Sequence, residues 1–183
     1  MSLHRYLYLL LPYVAGKLWL RTADVGDLRF LLAPVSWQVE GVTGYRATWE
    51  AGRGYVHAAG EFVIDASCAG GNFFLLAFLL LGHYVLRAGE AGWRAIIYAL
   101  LLAYPATVLA NVTRIVTLLG VAEWWPDYAG GTWHQVWGAV CYLCCLGGIA
   151  LAASYHRSGT GQCPVLTASA PAAAPHDETS LVQ

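Results

Sequence analysis

Three side chains in this sequence could together carry out acyl transfer: Cys68, Arg114 and His134. A thiolate attacks a carbonyl and holds the acyl group as a thioester. A cation stabilises the oxyanion that forms, and an imidazole near neutral pKa first takes the thiol proton and later returns one to the leaving group. The cysteine sits in Asp65-Ala66-Ser67-Cys68-Ala69-Gly70-Gly71, a small-residue turn just before the apolar run Asn72 to Arg87. Gly70 and Gly71 let backbone or substrate approach closely, and the free N–H groups of a helix start favour negative charge.

Each residue also has a plainer reading. Cys68 could be a small residue where the chain turns into a helix. Arg114 lies in an otherwise apolar helix, where a central arginine costs at least about 2.5–3.5 kcal/mol. Such a charge faces an interior cavity by default, although Gly120 is near enough for the side chain to snorkel to headgroups. Asn111 precedes Arg114 by three positions, so both share one helical face, and its amide can orient the guanidinium or a substrate carbonyl. His134, after Trp133, is by itself an ordinary boundary residue; only Cys68 and Arg114 on the same face turn it into an acid/base. His57 is a secondary candidate, because it lies in the segment before Cys68.

The elements that must position these groups belong in lipid. The 183 residues are 58% hydrophobic and 11% charged, with a mean hydropathy of +0.52, whereas soluble domains carry about 25% charged residues. A net charge of -1 and the lack of a Lys/Arg run give no support for a nucleic-acid partner, so none is expected. The odd count of five cysteines, with Cys141, Cys144 and Cys145 crowded into one apolar stretch, does not make a disulfide framework. Those three read as packing.

The apolar runs predict an all-α polytopic membrane protein with about four transmembrane helices. The spans fall at His4 to Leu20, Asn72 to Arg87, Arg94 to Gly120 and Trp133 to Ser154. The first is slightly short and competes with a cleaved signal peptide, a reading its interior tyrosines disfavour. Leu28 to Val39, with Pro34, suits an interfacial or re-entrant piece. From Gly41 to Asp65 periodicity switches to alternation (Tyr45, Ala47, Trp49; Tyr55, His57; Phe62, Ile64), so short strands or extended loops should lie on the membrane surface. Residues 1–157 thus form the membrane domain, with its core at 40–155. The Ala/Ser/Pro-rich 158–183 reads as a disordered cytoplasmic tail.

Arg87 and Arg94 flank the 88–93 turn, while the 121–133 loop has no Lys or Arg and is rich in Trp and Tyr. The first therefore faces the cytoplasm and the second the exterior, together with Cys68. Arg21, Arg29, Arg46 and Arg53 fall in the long segment this places outside, where the charge rule weighs less.

The run Asp65 to Gly71 at a helix start, Asn111-x-x-Arg114 near the end of the next outward helix, and His134 opening the following one resemble the exosortase/archaeosortase family. The short length is most like the type-K exosortases. The resemblance covers about residues 40 to 155 and rests on three motifs in order. It implies a cysteine peptidase/transpeptidase of the bacterial inner membrane, with its site facing the exterior or periplasm, no metal and no cofactor. Cys68 would be the nucleophile, Arg114 the transition-state stabiliser and His134 the acid/base. Asn111, Gly70 and Gly71 would bind or orient substrate. The partners it implies are membrane-anchored proteins whose C-terminal sorting signal combines a short Pro-containing motif, a helix and a basic cluster. Many relatives have about eight spans, about twice the number expected here.

Two other classes stand beside it. Cys141, Cys144 and Cys145 could belong to a quinone-linked thiol oxidoreductase, which needs a reactive surface pair and a relay pair. Alternatively, Gly138, Ala139, Gly147, Gly148 and Ala150 could mark a non-catalytic scaffold for partner helices.

Overall fold

The computed structural model describes residues 4–89, 92–125 and 131–159, with side chains at all of these except 4, 5, 131–134 and 156–159. The protein is an all-α polytopic membrane protein carrying one small sheet. Helix α1 spans His4–Trp19 and α2 spans Arg29–Thr43. Strands β1 (Thr48–Glu50), β2 (Gly54–His57) and β3 (Phe62–Ile64) come next. A 3-10 turn at Ala66–Cys68 leads into α3 (Gly71–Arg87), α4 (Trp93–Trp124) and α5 (Gly131–Gly159).

Among the described residues, three helical segments are long and apolar enough to cross a membrane: Ala66–Arg87, Trp93–Trp124 and Gln135–Tyr155. The expected first span is a 16-residue helix. At 1.5 Å per residue it is about 24 Å long, short of the roughly 30 Å hydrocarbon core. Helix α1 packs antiparallel along α3 through small residues. Leu9 fills the space over Gly82, Leu75 that over Gly16, and Tyr6 stacks on His83 with its hydroxyl 3.2 Å from Nδ1. At the other end Lys17 donates to Asn72 Oδ1 at 2.6 Å.

Helix α4 is 32 residues long because nothing in its sequence stops it before Trp125; Pro105 is accommodated inside. Ala95, Ala99 and Ala103 recur every fourth position and are fully buried with Phe73, Ala77, Phe78 and Leu86 of α3. Small side chains let the two backbones approach closely, as membrane helix pairs require. The connection expected over 121–133 is shorter at both ends, since α4 continues through Trp124 and α5 opens at Gly131. Residues 126–130 lie outside the described part, as does the expected tail from 160 onward.

The interfacial piece is a helix with one buried face, Leu31, Leu32, Val35, Ser36 and Val39, packed against Val108, Val112 and Ile115 of α4. It ends at Gly44 in the left-handed conformation (φ 75°), a common helix stop. The expected alternation produces an antiparallel sheet in the order β1-β2-β3. Its pairs Trp49–Tyr55, Tyr55–Ile64 and His57–Phe62 put one set of side chains on a single face. That face meets α2, where His57 is fully buried. His57 Nδ1 lies 2.9 Å from the Tyr45 carbonyl and Nε2 lies 3.3 Å from Ser36 Oγ, and the ring stacks on Phe62 at 4.4 Å. His57 therefore pins the sheet to α2, turned away from any catalytic use. The sheet delivers the chain to Asp65 at the end of the bundle where α1 finishes and α3 begins.

Candidate active site

Asp65 starts the turn that carries the thiol. Its Oδ1 accepts from Ser67 N at 2.9 Å and Ser67 Oγ at 2.6 Å, and its carbonyl accepts from Cys68 N at 3.0 Å. A short acidic side chain in extended backbone is suited to capping such a turn. Cys68 is half-buried, with its sulfur 3.9 Å from Ser67 Oγ. It packs at the edge of the cluster that includes Ala69, Val108, Val112 and Ile115. Gly70 follows with φ 66°, a left-handed conformation natural to glycine, and α3 starts one residue later.

Helix α4 brings its polar face to this turn. Asn111 is 1% exposed and donates from Nδ2 to the carbonyl of Ala69 at 2.9 Å. Its amide occupies the space that a Cβ on Gly70 would need. Asn111 Oδ1 accepts from the hydroxyl of Tyr142 on α5. That same hydroxyl accepts from Arg114 Nη1 at 3.2 Å, and the guanidinium carbon lies 5.2 Å from the Tyr142 ring centroid. A continuous path of hydrogen bonds thus runs from the guanidinium to the residue after the cysteine. Arg114 is not directed into the acyl chains: it reaches across to α5, where Gly138 leaves room for it. A Cβ at Gly138 would lie 2.6 Å from Arg114 Nε.

Arg114 Nε is buried and has no hydrogen-bond partner among the described residues. A desolvated donor left unpaired costs about 1–3 kcal/mol or more when charged. The charge of Arg114 acts on both the Cys68 sulfur and the Tyr142 oxygen, so the three groups share one electrostatic environment.

Beside the turn lies a cleft of about 760 Å³ between α1, the start of α3 and α5. Ser67 and Gly70, on either side of the cysteine, contribute to its wall, as do Gly71, Tyr142, Lys17 and Arg21. Gly71 also admits Leu20 against its backbone.

The model of the transmembrane exosortase family matches residues 4–151. The chain belongs to the transmembrane exosortase family. No curated protein and no solved structure matches it. Membership supports a membrane transpeptidase-type function, and the match spans every described helix of this exosortase as far as residue 151 of α5.

Of the residues that the sequence singles out in this exosortase, Cys68, Gly70, Asn111 and Arg114 come together. His134 falls in the first turn of α5, and its side chain lies outside the described residues. Tyr142 was missed. Its only signal in the sequence is a hydroxyl-bearing ring in an apolar helix. Of the other cysteines, Cys141 and Cys145 are half-buried and Cys144 is exposed; with Cys68 all are free thiols, and Cys163 lies outside the described part.

Proposed function

We propose that this exosortase cleaves the C-terminal sorting signal of exported, membrane-anchored proteins through a thioester on Cys68, on the outer face of the bacterial inner membrane. His134 takes the thiol proton, and the thiolate forms a C–S bond with the scissile carbonyl carbon. The displaced π pair moves to the carbonyl oxygen, which Arg114 stabilises. Collapse of this adduct expels the amine, which takes the proton from His134. An acceptor nucleophile or water then attacks the thioester and releases the thiol.

The observation that carries this reading is the hydrogen-bonded path from Arg114 through Tyr142 and Asn111 to Ala69. It ties the costliest charge of a membrane helix to the turn that carries Cys68. With Nη1 committed to Tyr142, the guanidinium retains donors for a developing oxyanion. Both ends of the Asn111 amide are engaged, so Asn111 acts by orienting, and Gly70 serves by admitting it. A substrate helix has room along α5, because only 6% of that span is buried in the protein, against 44% for the α3 and α4 spans.

The test is trapping. A mechanism-based thiol probe or an accumulated acyl-enzyme is located by mass spectrometry, with Cys68→Ala, Arg114→Ala and His134→Ala proteins assayed for processing of a co-expressed substrate. The adduct should fall on Cys68, and all three variants should insert but fail to process. An adduct on Cys141, Cys144 or Cys145 sinks the mechanism.

A further inference from the structure

We propose that Tyr142 is a positioning residue for this reaction: it sets Arg114 in place and couples it to the turn that carries Cys68. The inference rests on the reading of Cys68 and Arg114 above for what the coupling serves, and on geometry alone for the coupling itself.

The direction of every bond in the path is decided by chemistry. A guanidinium only donates, so at the Arg114–Tyr142 contact the hydroxyl oxygen accepts. Its one hydrogen is then available to Asn111, and the Ala69 carbonyl needs a donor, which fixes the Asn111 amide with Nδ2 toward Ala69 and Oδ1 toward Tyr142. The polarity runs one way, from the cation to the carbonyl next to the nucleophile. Bonds aligned in this manner polarise one another in a low-dielectric interior.

The ring adds a second constraint. It lies against Phe73 of α3 at 4.9 Å between centroids, and the guanidinium lies over it. Gly138 is four residues earlier, hence on the same side of α5, and provides the gap for Nε. Tyr142 and Gly138 thus form a socket, one by its hydroxyl and ring, the other by lacking a side chain. Without the hydroxyl, Arg114 Nη1 and Asn111 Oδ1 both lose their partner at once. Among the described residues the guanidinium then has no hydrogen bond that holds it toward the cysteine.

The test reads the state of the thiol and requires no substrate. The full chain, with Cys141, Cys144, Cys145 and Cys163 replaced by Ala, is placed in lipid nanodiscs, and the rate at which iodoacetamide alkylates Cys68 is followed against pH. The charged or titratable groups acting on Cys68 are Asp65 before it, Arg114 from α4 and Tyr142 from α5. Tyr142→Phe keeps the ring and removes the hydroxyl. At neutral pH its alkylation should slow by roughly three- to tenfold, as expected when a cation withdraws from a thiolate. In an Arg114→Lys background, where the fork is already gone, the same change should have little further effect.

An unchanged alkylation profile in Tyr142→Phe overturns the proposal. So does an equal slowing in both backgrounds, which would mark Tyr142 as acting on Cys68 independently of Arg114. Failure of the reaction reading shows differently. If Cys68→Ala still processes substrate while Tyr142→Phe slows alkylation, the coupling stands and the thioester mechanism falls.

Discussion

The amide of Asn111 lies against Gly70 so closely that no side chain fits between them, although the two residues are far apart in the chain. Gly70 meets this with a left-handed backbone (φ 66°), and Asn111 uses the approach to reach the Ala69 carbonyl. The position of the thiol turn relative to α4 thus depends on a missing Cβ. The consequences of changing that contact, and others like it, are open to measurement.

Gly70→Ala should destabilise the protein by more than about 2 kcal/mol, from left-handed strain and collision with a packed amide. Part of that cost should disappear in Asn111→Ala, which removes the obstructing group while leaving the strain. Thermal unfolding of the single and double variants in detergent measures the non-additivity. Strictly additive losses would mean that the two residues do not meet.

Gly138→Ala should displace the Arg114 side chain, since the added carbon would lie 2.6 Å from Nε and 3.2 Å from Cζ. Processing should fall by about 100-fold, the scale of losing one oriented oxyanion donor. Gly147→Ala and Gly148→Ala meet nothing within 4 Å and should remain within about 0.5 kcal/mol of the parent in stability. A scaffold that uses α5 glycines to bind partner helices predicts the reverse ranking.

Arg114→Lys preserves charge but loses the planar fork that reaches Tyr142 while keeping further donors. Turnover should drop on the order of 100-fold with little change in the half-saturating substrate level, because the lost interaction belongs to the transition state. A purely structural arginine would instead reveal itself as lower yield of inserted protein with normal turnover per molecule.

His57→Ala and His134→Ala should separate stability from catalysis. Loss of the His57 ring leaves Ser36 unpartnered and removes the stack on Phe62, which should cost about 2–4 kcal/mol. The surviving folded fraction should process substrate normally. His134→Ala should melt as the parent does and yet be inactive. Melting curves and processing assays on the same preparations distinguish these outcomes.

Much of the architecture was legible in one dimension. Lipid imposes a strong rule on sequence: long apolar runs become helices, because no other local structure satisfies the backbone there. Hence α3, α4 and α5 lie close to where their runs of hydrophobic residues place them. The alternation of Trp49, Tyr55, His57, Phe62 and Ile64 likewise implied strands, since a period of two puts these side chains on one face of a sheet. The first run, His4 to Leu20, already reads as slightly short, and the helix ends at Trp19 after 16 residues. The ends of the last connection were missed because Trp, Tyr and Glu mark a water boundary but do not stop a helix.

Chemistry was legible where cost revealed it. A charge inside an apolar run and a cysteine beside paired glycines are exceptions that local sequence displays by itself, so Arg114 and Cys68 stood out. Their union was decided only in three dimensions. Tyr142 joins them through a hydroxyl whose partners lie 28 and 31 residues away, and a tyrosine in a membrane helix is too ordinary to announce that role. His57 shows the converse. By position it accompanied the nucleophile, and the register of β2 on β3 turned it into the core. Side-chain identity sets what a residue can do, but packing across elements determines which partner it meets.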